Sequence, residues 1–140
     1  MARPPLSPYG TLVLDRGTES GVRPGAIVFG EGVPIGNIAE AGQGSARVLL
    51  YSSSGRRNEA WVGEERLPLT IVGEGAGAFS SEAPRELPIA VGSMVYLPGP
   101  GALPVGTVRM VESHPSSPSA SIQIEPLMNP YTITWVRVMP

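Results

Sequence analysis

Few residues in this chain could do acid–base or nucleophilic chemistry. Its 140 residues include a single histidine, His114, and a single aspartate, Asp15. A Ser-His-Asp triad would have to use both. No Gly-x-Ser-x-Gly elbow is present; the nearest serine contexts are Gly44-Ser45-Ala46 and Ser52-Ser53-Ser54-Gly55. Asp15 stands before Arg16-Gly17, where it reads as a strand-ending acid. His114 lies in Glu112-Ser-His-Pro-Ser-Ser-Pro118, which reads as an exposed loop. Cysteine is absent and the glutamates are scattered, which predicts no disulfide, no metal site and no cofactor. Glu64 and Glu65 are adjacent and would point apart on a strand, unlike the converging acids of a glycosidase. Gly73-x-Gly75-x-Gly77 lacks both the Lys-Ser/Thr of a P-loop and the helix of a dinucleotide turn, so it reads as a hinge or crossover. The expectation is a protein that is not an enzyme.

Charge removes further classes. The formal net charge is -2, with ten arginines, no lysine and no basic run beyond Arg56-Arg57, so no nucleic-acid partner is expected. No stretch reaches the roughly 20 apolar residues of a membrane span, and no signal peptide is visible. Met1-Ala2-Arg3-Pro4-Pro5 reads as a linker given a start codon, which suggests an excised soluble piece.

What remains is a surface for other proteins. Phe79 is flanked by small and polar residues in a loop-like segment. With Pro84 and Arg85 it forms the candidate partner-binding set, exposed in a groove near Gly73–Arg85. A plug over a barrel seam is the alternative role for Phe79.

The elements that must carry these residues are short. Glycine and proline number 18 and 16, and the runs between them leave no room for a long helix. The pattern is also duplicated. Gly25-Ala-Ile-Val-Phe-Gly followed by Val33-Pro-Ile-Gly36-Asn-Ile38 is answered by Gly92-Ser-Met-Val-Tyr-Leu followed by Leu103-Pro-Val-Gly106-Thr-Val108. Further on, Arg47-Val48-Leu49-Leu50 is matched to Ser121-Ile122-Gln123-Ile124, and Ala60-Trp61-Val62 to Thr134-Trp135-Val136. This predicts an all-β fold of two small tandem antiparallel β-barrels: residues 1–9 a linker, 10–66 the first unit, 67–140 the second. Gly17, Gly21, Gly25 and Gly92 are turn positions, and Gly36 and Gly106 mark bulges that curl each sheet. Val28, Ile35, Ile38, Val48 and Leu50 should fill one core, and Val95, Val105, Val108, Ile122 and Ile124 the other. Each half alone would bury only about 60% of its unfolded surface, so the halves should depend on each other.

At these residues a family resemblance emerges. Tyr9-Gly-Thr-Leu-Val-Leu-Asp15-Arg-Gly17, Gly21-Val-Arg-Pro-Gly25-Ala-Ile-Val28, Pro34-Ile-Gly36-Asn-Ile38 and Ser45-Ala-Arg-Val-Leu-Leu50 resemble the periplasmic region of the rod shape-determining MreC family. Gly75-Ala-Gly-Ala-Phe79-Ser-Ser-Glu82-Ala-Pro-Arg85, Val91-Gly-Ser-Met-Val95, Leu103-Pro-Val-Gly-Thr-Val108 and Trp135-Val-Arg-Val138 extend it to residues 9–139. The resemblance implies a scaffold of the cell-elongation machinery that organises peptidoglycan synthesis, without catalytic residues. It implies a class B penicillin-binding protein as partner, with MreD and, indirectly, MreB reached through the parent protein. It also implies self-association into a dimer or filament, and a periplasmic or extracytoplasmic location with membrane contact only through an N-terminal anchor outside this chain. The rival reading is a trypsin-like double-barrel hydrolase or a degenerate relative, which would need His114 and Asp15 side by side.

Overall fold

The computed structural model describes residues 2–3, 10–99, 102–130, 132–133 and 135–139. Its strands are β1 (Ala2–Arg3), β2 (Thr11–Leu14), β3 (Ile27–Gly30), β4 (Val33–Ala41), β5 (Ala46–Leu50), β6 (Arg57–Val62), β7 (Leu67–Gly75), β8 (Ala78–Pro84), β9 (Met94–Leu97), β10 (Leu103–Ser113), β11 (Ser119–Pro126) and β12 (Arg137–Met139). One 3₁₀ turn, Thr18–Ser20, is the helical element among the described residues. Strand β11 shows why the sequence folds this way. Ile122 and Ile124 are buried while Ser121, Gln123 and Glu125 are exposed, the period-two alternation of a sheet with one face on a core.

All the pairings are antiparallel, and they build two sheets. One is a closed barrel of order β10-β11-β8-β7-β6-β9; the other is a six-stranded sheet of order β1-β2-β5-β4-β3-β12. Among the described residues the first unit is thus a six-stranded sheet without a closing pair, where the sequence suggested a second barrel. The two cores fill as expected. Val28, Ile35, Ile38, Val48 and Leu50 share one buried cluster, and Val95, Val105, Val108, Ile122 and Ile124 the other. Each such side chain contributes roughly 1.5–3 kcal/mol on burial.

The duplication repeats even the irregularities. The β3–β4 ladder slips at Ile35, between the pairs Phe29↔Pro34 and Val28↔Gly36. The β9–β10 ladder slips at Val105, between Tyr96↔Pro104 and Val95↔Gly106. Further along, β4 bulges at Ala39 and β10 at Arg109. At Gly36 a Cβ would strike the Leu49 carbonyl, and at Gly106 the Glu125 carbonyl. These glycines are therefore required by close strand approach at the bend, in extended backbone that any residue could otherwise adopt. Gly25 and Gly92 do need glycine for conformation, with φ of 88° and 92°.

Two boundaries differ from the sequence reading. Strand β6, with Trp61, lies in the barrel between β7 and β9, although residues 10–66 were assigned to the first unit. Strand β12 returns to the first sheet and pairs with β3. Each sheet takes one strand from the other half of the chain. The register of the repeat also moves. Ile38 pairs with Val48 and Val108 with Ile124, so Val48 corresponds to Ile124. Phe29 pairs with Arg137 and Tyr96 with Trp61, so Trp61 corresponds to Arg137 and not to Trp135. A shift by one full pleat leaves every side chain on the same face, so the hydrophobic pattern could not reveal it.

Candidate protein-binding surface

The Gly73–Arg85 segment does not present Phe79 to solvent. Phe79 is 4% exposed and belongs to the barrel core, so its expected exposure is corrected. The reason lies in the repeat: Phe79 pairs with Ile124 as Leu12 pairs with Val48, making Phe79 the counterpart of a core leucine. Extending the duplication back to Gly10-Thr-Leu12 and Gly77-Ala-Phe79 would have found this. At the junction of the sheets Phe79 lines a cavity of about 20 Å³ with Pro34, Tyr51, Ser52, Val105 and Pro126. That is room for about one water.

The Gly73–Gly77 segment closes the junction. Gly73 N–H donates to Arg56 O (2.8 Å), Gly55 N–H to Gly73 O (3.0 Å) and Gly75 N–H to Ser52 O (2.7 Å). Gly77 N–H donates to Ser52 Oγ (2.9 Å). A Cβ on Gly73 would strike the Ser52–Ser53 backbone. The turn therefore sutures the chain's crossing between sheets. Arg56 completes the suture. Its guanidinium donates to the carbonyls of Leu49 (3.0 Å) and Leu50 (3.3 Å) and to Asn37 Oδ1 (2.8 Å), and lies 4.9 Å over the Tyr51 ring. Burial lowers the Arg56 pKa and raises that of the Tyr51 phenol, the latter opposed by the nearby cation.

Pro84 and Arg85 are exposed at the other end of β8. Six residues of strand place Arg85 about 20 Å from Phe79, so the three candidates do not form one site. Arg85 donates to the carbonyls of His114 (3.1 Å), Pro115 (3.2 Å) and Ser117 (3.4 Å), bracing the β10–β11 loop. His114 lies in that loop of the barrel, whereas Asp15 follows β2 in the other sheet. No group of three or more metal-ligating side chains forms among the described residues.

The exposed large apolar residues lie elsewhere. Trp135 is 65% exposed just before β12, and Met139 is exposed at its end. Arg137, between them, is exposed with its guanidinium 4.9 Å over the Phe29 ring. Val136 and Val138 alternate with them and pack toward the first core. Trp135, Arg137 and Met139 thus form an outward row along a strand at the sheet's edge. The repeat read from the sequence pairs Trp135 with Trp61, whereas the strand register pairs it with Glu59. The corresponding positions in the barrel are engaged by partners from β7, β9 and the β6–β7 turn. Trp61 packs on Tyr96 with ring centroids 6.4 Å apart and has Arg66 5.5 Å over its face. Glu59, the counterpart of Trp135, accepts a hydrogen bond from Thr70 of β7 (3.0 Å).

Comparison with known proteins decides the family. Residues 1–140 match the family model for the barrel core of the rod shape-determining protein MreC. The chain belongs to the MreC family. Members of this family are structural, shape-determining proteins. The fold agrees with solved MreC structures. MreC from Pseudomonas aeruginosa superposes with a TM-score of 0.87 at 22% identity, covering 98% of this chain and 94% of that one. The major periplasmic domain of a cell shape-determining filament MreC gives 0.72 at 17% identity, covering 99% and 90%. MreC in a complex with penicillin-binding protein PBP2 from Helicobacter pylori gives 0.69 at 15% identity, covering 99% and 92%. A search of curated proteins finds no match. No helix among the described residues is long and apolar enough to cross a membrane.

Proposed function

We propose that this MreC barrel core is a non-enzymatic scaffold on the extracytoplasmic face of a bacterial inner membrane. There it holds a class B penicillin-binding protein and associates with further copies of itself, organising peptidoglycan synthesis in the cell-elongation machinery. The family match over residues 1–140 carries this reading. The likeness to an MreC solved with PBP2 supports the partner, and the likeness to a periplasmic filament domain supports the location and self-association. Contacts with MreD and MreB belong to the parent protein in this reading. His114 lies in the β10–β11 loop of the barrel and Asp15 follows β2 of the other sheet, so a triad would have to draw on both sheets.

The test is direct binding of the purified chain to the purified periplasmic part of the source bacterium's class B penicillin-binding protein. Saturable binding in the micromolar range, with no hydrolysis of peptide or ester substrates, is expected. Absence of binding at hundred-micromolar concentration would remove the partner from the proposal. Hydrolase activity lost on His114→Ala would restore the double-barrel hydrolase.

A further inference from the structure

We propose that the free edge of β12, with its outward row of Trp135, Arg137 and Met139, is a docking edge that takes an extended segment of a protein partner as an added strand. The internal duplication states what such an edge requires. In the barrel, the strand corresponding to β12 is β6, whose outer edge is paired with β7 from Arg57↔Val72 to Val62↔Leu67. The β6–β7 hairpin also engages the outward side chains, through Thr70 on Glu59 and Arg66 on Trp61. Among the described residues, strand β12 ends its sheet, and β1 at the opposite end pairs with β2 alone. The edge therefore presents backbone donors and acceptors to any strand that can reach them.

The side chains give the partner's chemistry. Tryptophan, arginine and methionine are enriched where protein interfaces concentrate their energy. Among the described residues no carboxylate pairs with Arg137, and its guanidinium lies over the face of Phe29. An acidic side chain on the incoming strand would supply the missing charge. Val136 and Val138 face the first core, so the incoming strand would set apolar residues at alternate positions on that side. By analogy with β7 it runs antiparallel to β12. The edge itself has few defences: Trp135–Met139 contains no proline and no lysine. The fitting partner is an extended segment, apolar at every second residue, with an acid placed to meet Arg137. This rests on the scaffold reading, with the penicillin-binding protein supplying the segment.

The experiment compares the purified chain with Trp135→Ala, Arg137→Glu and the control Val91→Ala. Val91 is as exposed as Trp135, at 65%, but precedes β9 in the other sheet. Affinity for the periplasmic part of the penicillin-binding protein is measured with hydrogen exchange of the β12 amides. Trp135→Ala and Arg137→Glu should each weaken binding about tenfold or more. Val91→Ala should leave it unchanged, and all three should keep the melting temperature within about 2 °C. The partner should slow exchange in Arg137–Met139. If the wild type binds and neither variant weakens it, the docking edge is wrong and the scaffold reading stands. If the variants weaken binding but β12 amides gain no protection, contact occurs without strand addition and the proposal falls. If the wild type does not bind, the penicillin-binding protein is removed from the proposed function and this inference falls with it.

Discussion

The closed barrel and the open sheet run through the same strand order, β8-β11-β10-β9-β6 in one and β2-β5-β4-β3-β12 in the other. They share their bulges, their bend glycines and the pattern of their cores. They part at one place. In the barrel, β7 pairs with both β8 and β6 and closes the ring. In the sheet, β1 holds the position beside β2, and among the described residues no pairing joins it to β12. Closure is decided by one strand, and its consequence is chemical. The barrel hides its edges, while the sheet leaves an edge beside an exposed tryptophan.

The strand exchange between the units gives the largest expected effect. Residues 1–66 contain β6 without its neighbours β7 and β9, and β3 without β12. That fragment should show no cooperative thermal transition by circular dichroism. A melt as sharp as the full chain's would break the account of interdependent halves. The matched core positions come next. Phe79→Ala should cost about 3–5 kcal/mol and Leu12→Ala about 2–5 kcal/mol in denaturant unfolding. A Phe79 variant of native stability would return that ring to the surface. The bend glycines sharpen the comparison further. Gly36→Ala and Gly106→Ala should each cost about 1–3 kcal/mol, because each methyl group meets a carbonyl of the neighbouring strand. A large cost at one and none at the other would show that the bends are not equivalent.

The smallest effect concerns the junction. Burial raises the Tyr51 pKa above its ordinary 10.0. The unfolded chain then releases this proton first, so stability is intact below about pH 10 and falls as pH rises through the folded value. Tyr51→Phe should flatten the alkaline limb of the stability curve and leave the neutral region nearly unchanged. An alkaline limb identical in the two proteins would separate Tyr51 from the suture it shares with Arg56.

The two cores were legible because alternation along a strand reports burial without reference to any partner. The ten residues assigned to them are all buried. Gly36 and Gly106 were legible as bends because an interior glycine in a strand has few other uses. Phe79 was misread because its neighbours are small. Ala78, Ser80 and Ser81 look like loop, yet Ser81 is itself buried with its hydroxyl donating to the Thr70 carbonyl at 2.7 Å. Trp135 was placed with Trp61 because two tryptophans near the ends of two repeats invite that alignment.

The sequence by itself determined an all-β chain, its duplication, its two hydrophobic sets and the poverty of its catalytic chemistry. These are properties of composition and period, and each is local. Only the tertiary structure decided that β6 and β12 change places, that Phe79 is core, and that Trp135 lies at a sheet edge. Backbone hydrogen bonding between strands carries no side-chain code. Which edge meets which is settled when the whole chain buries its apolar faces together.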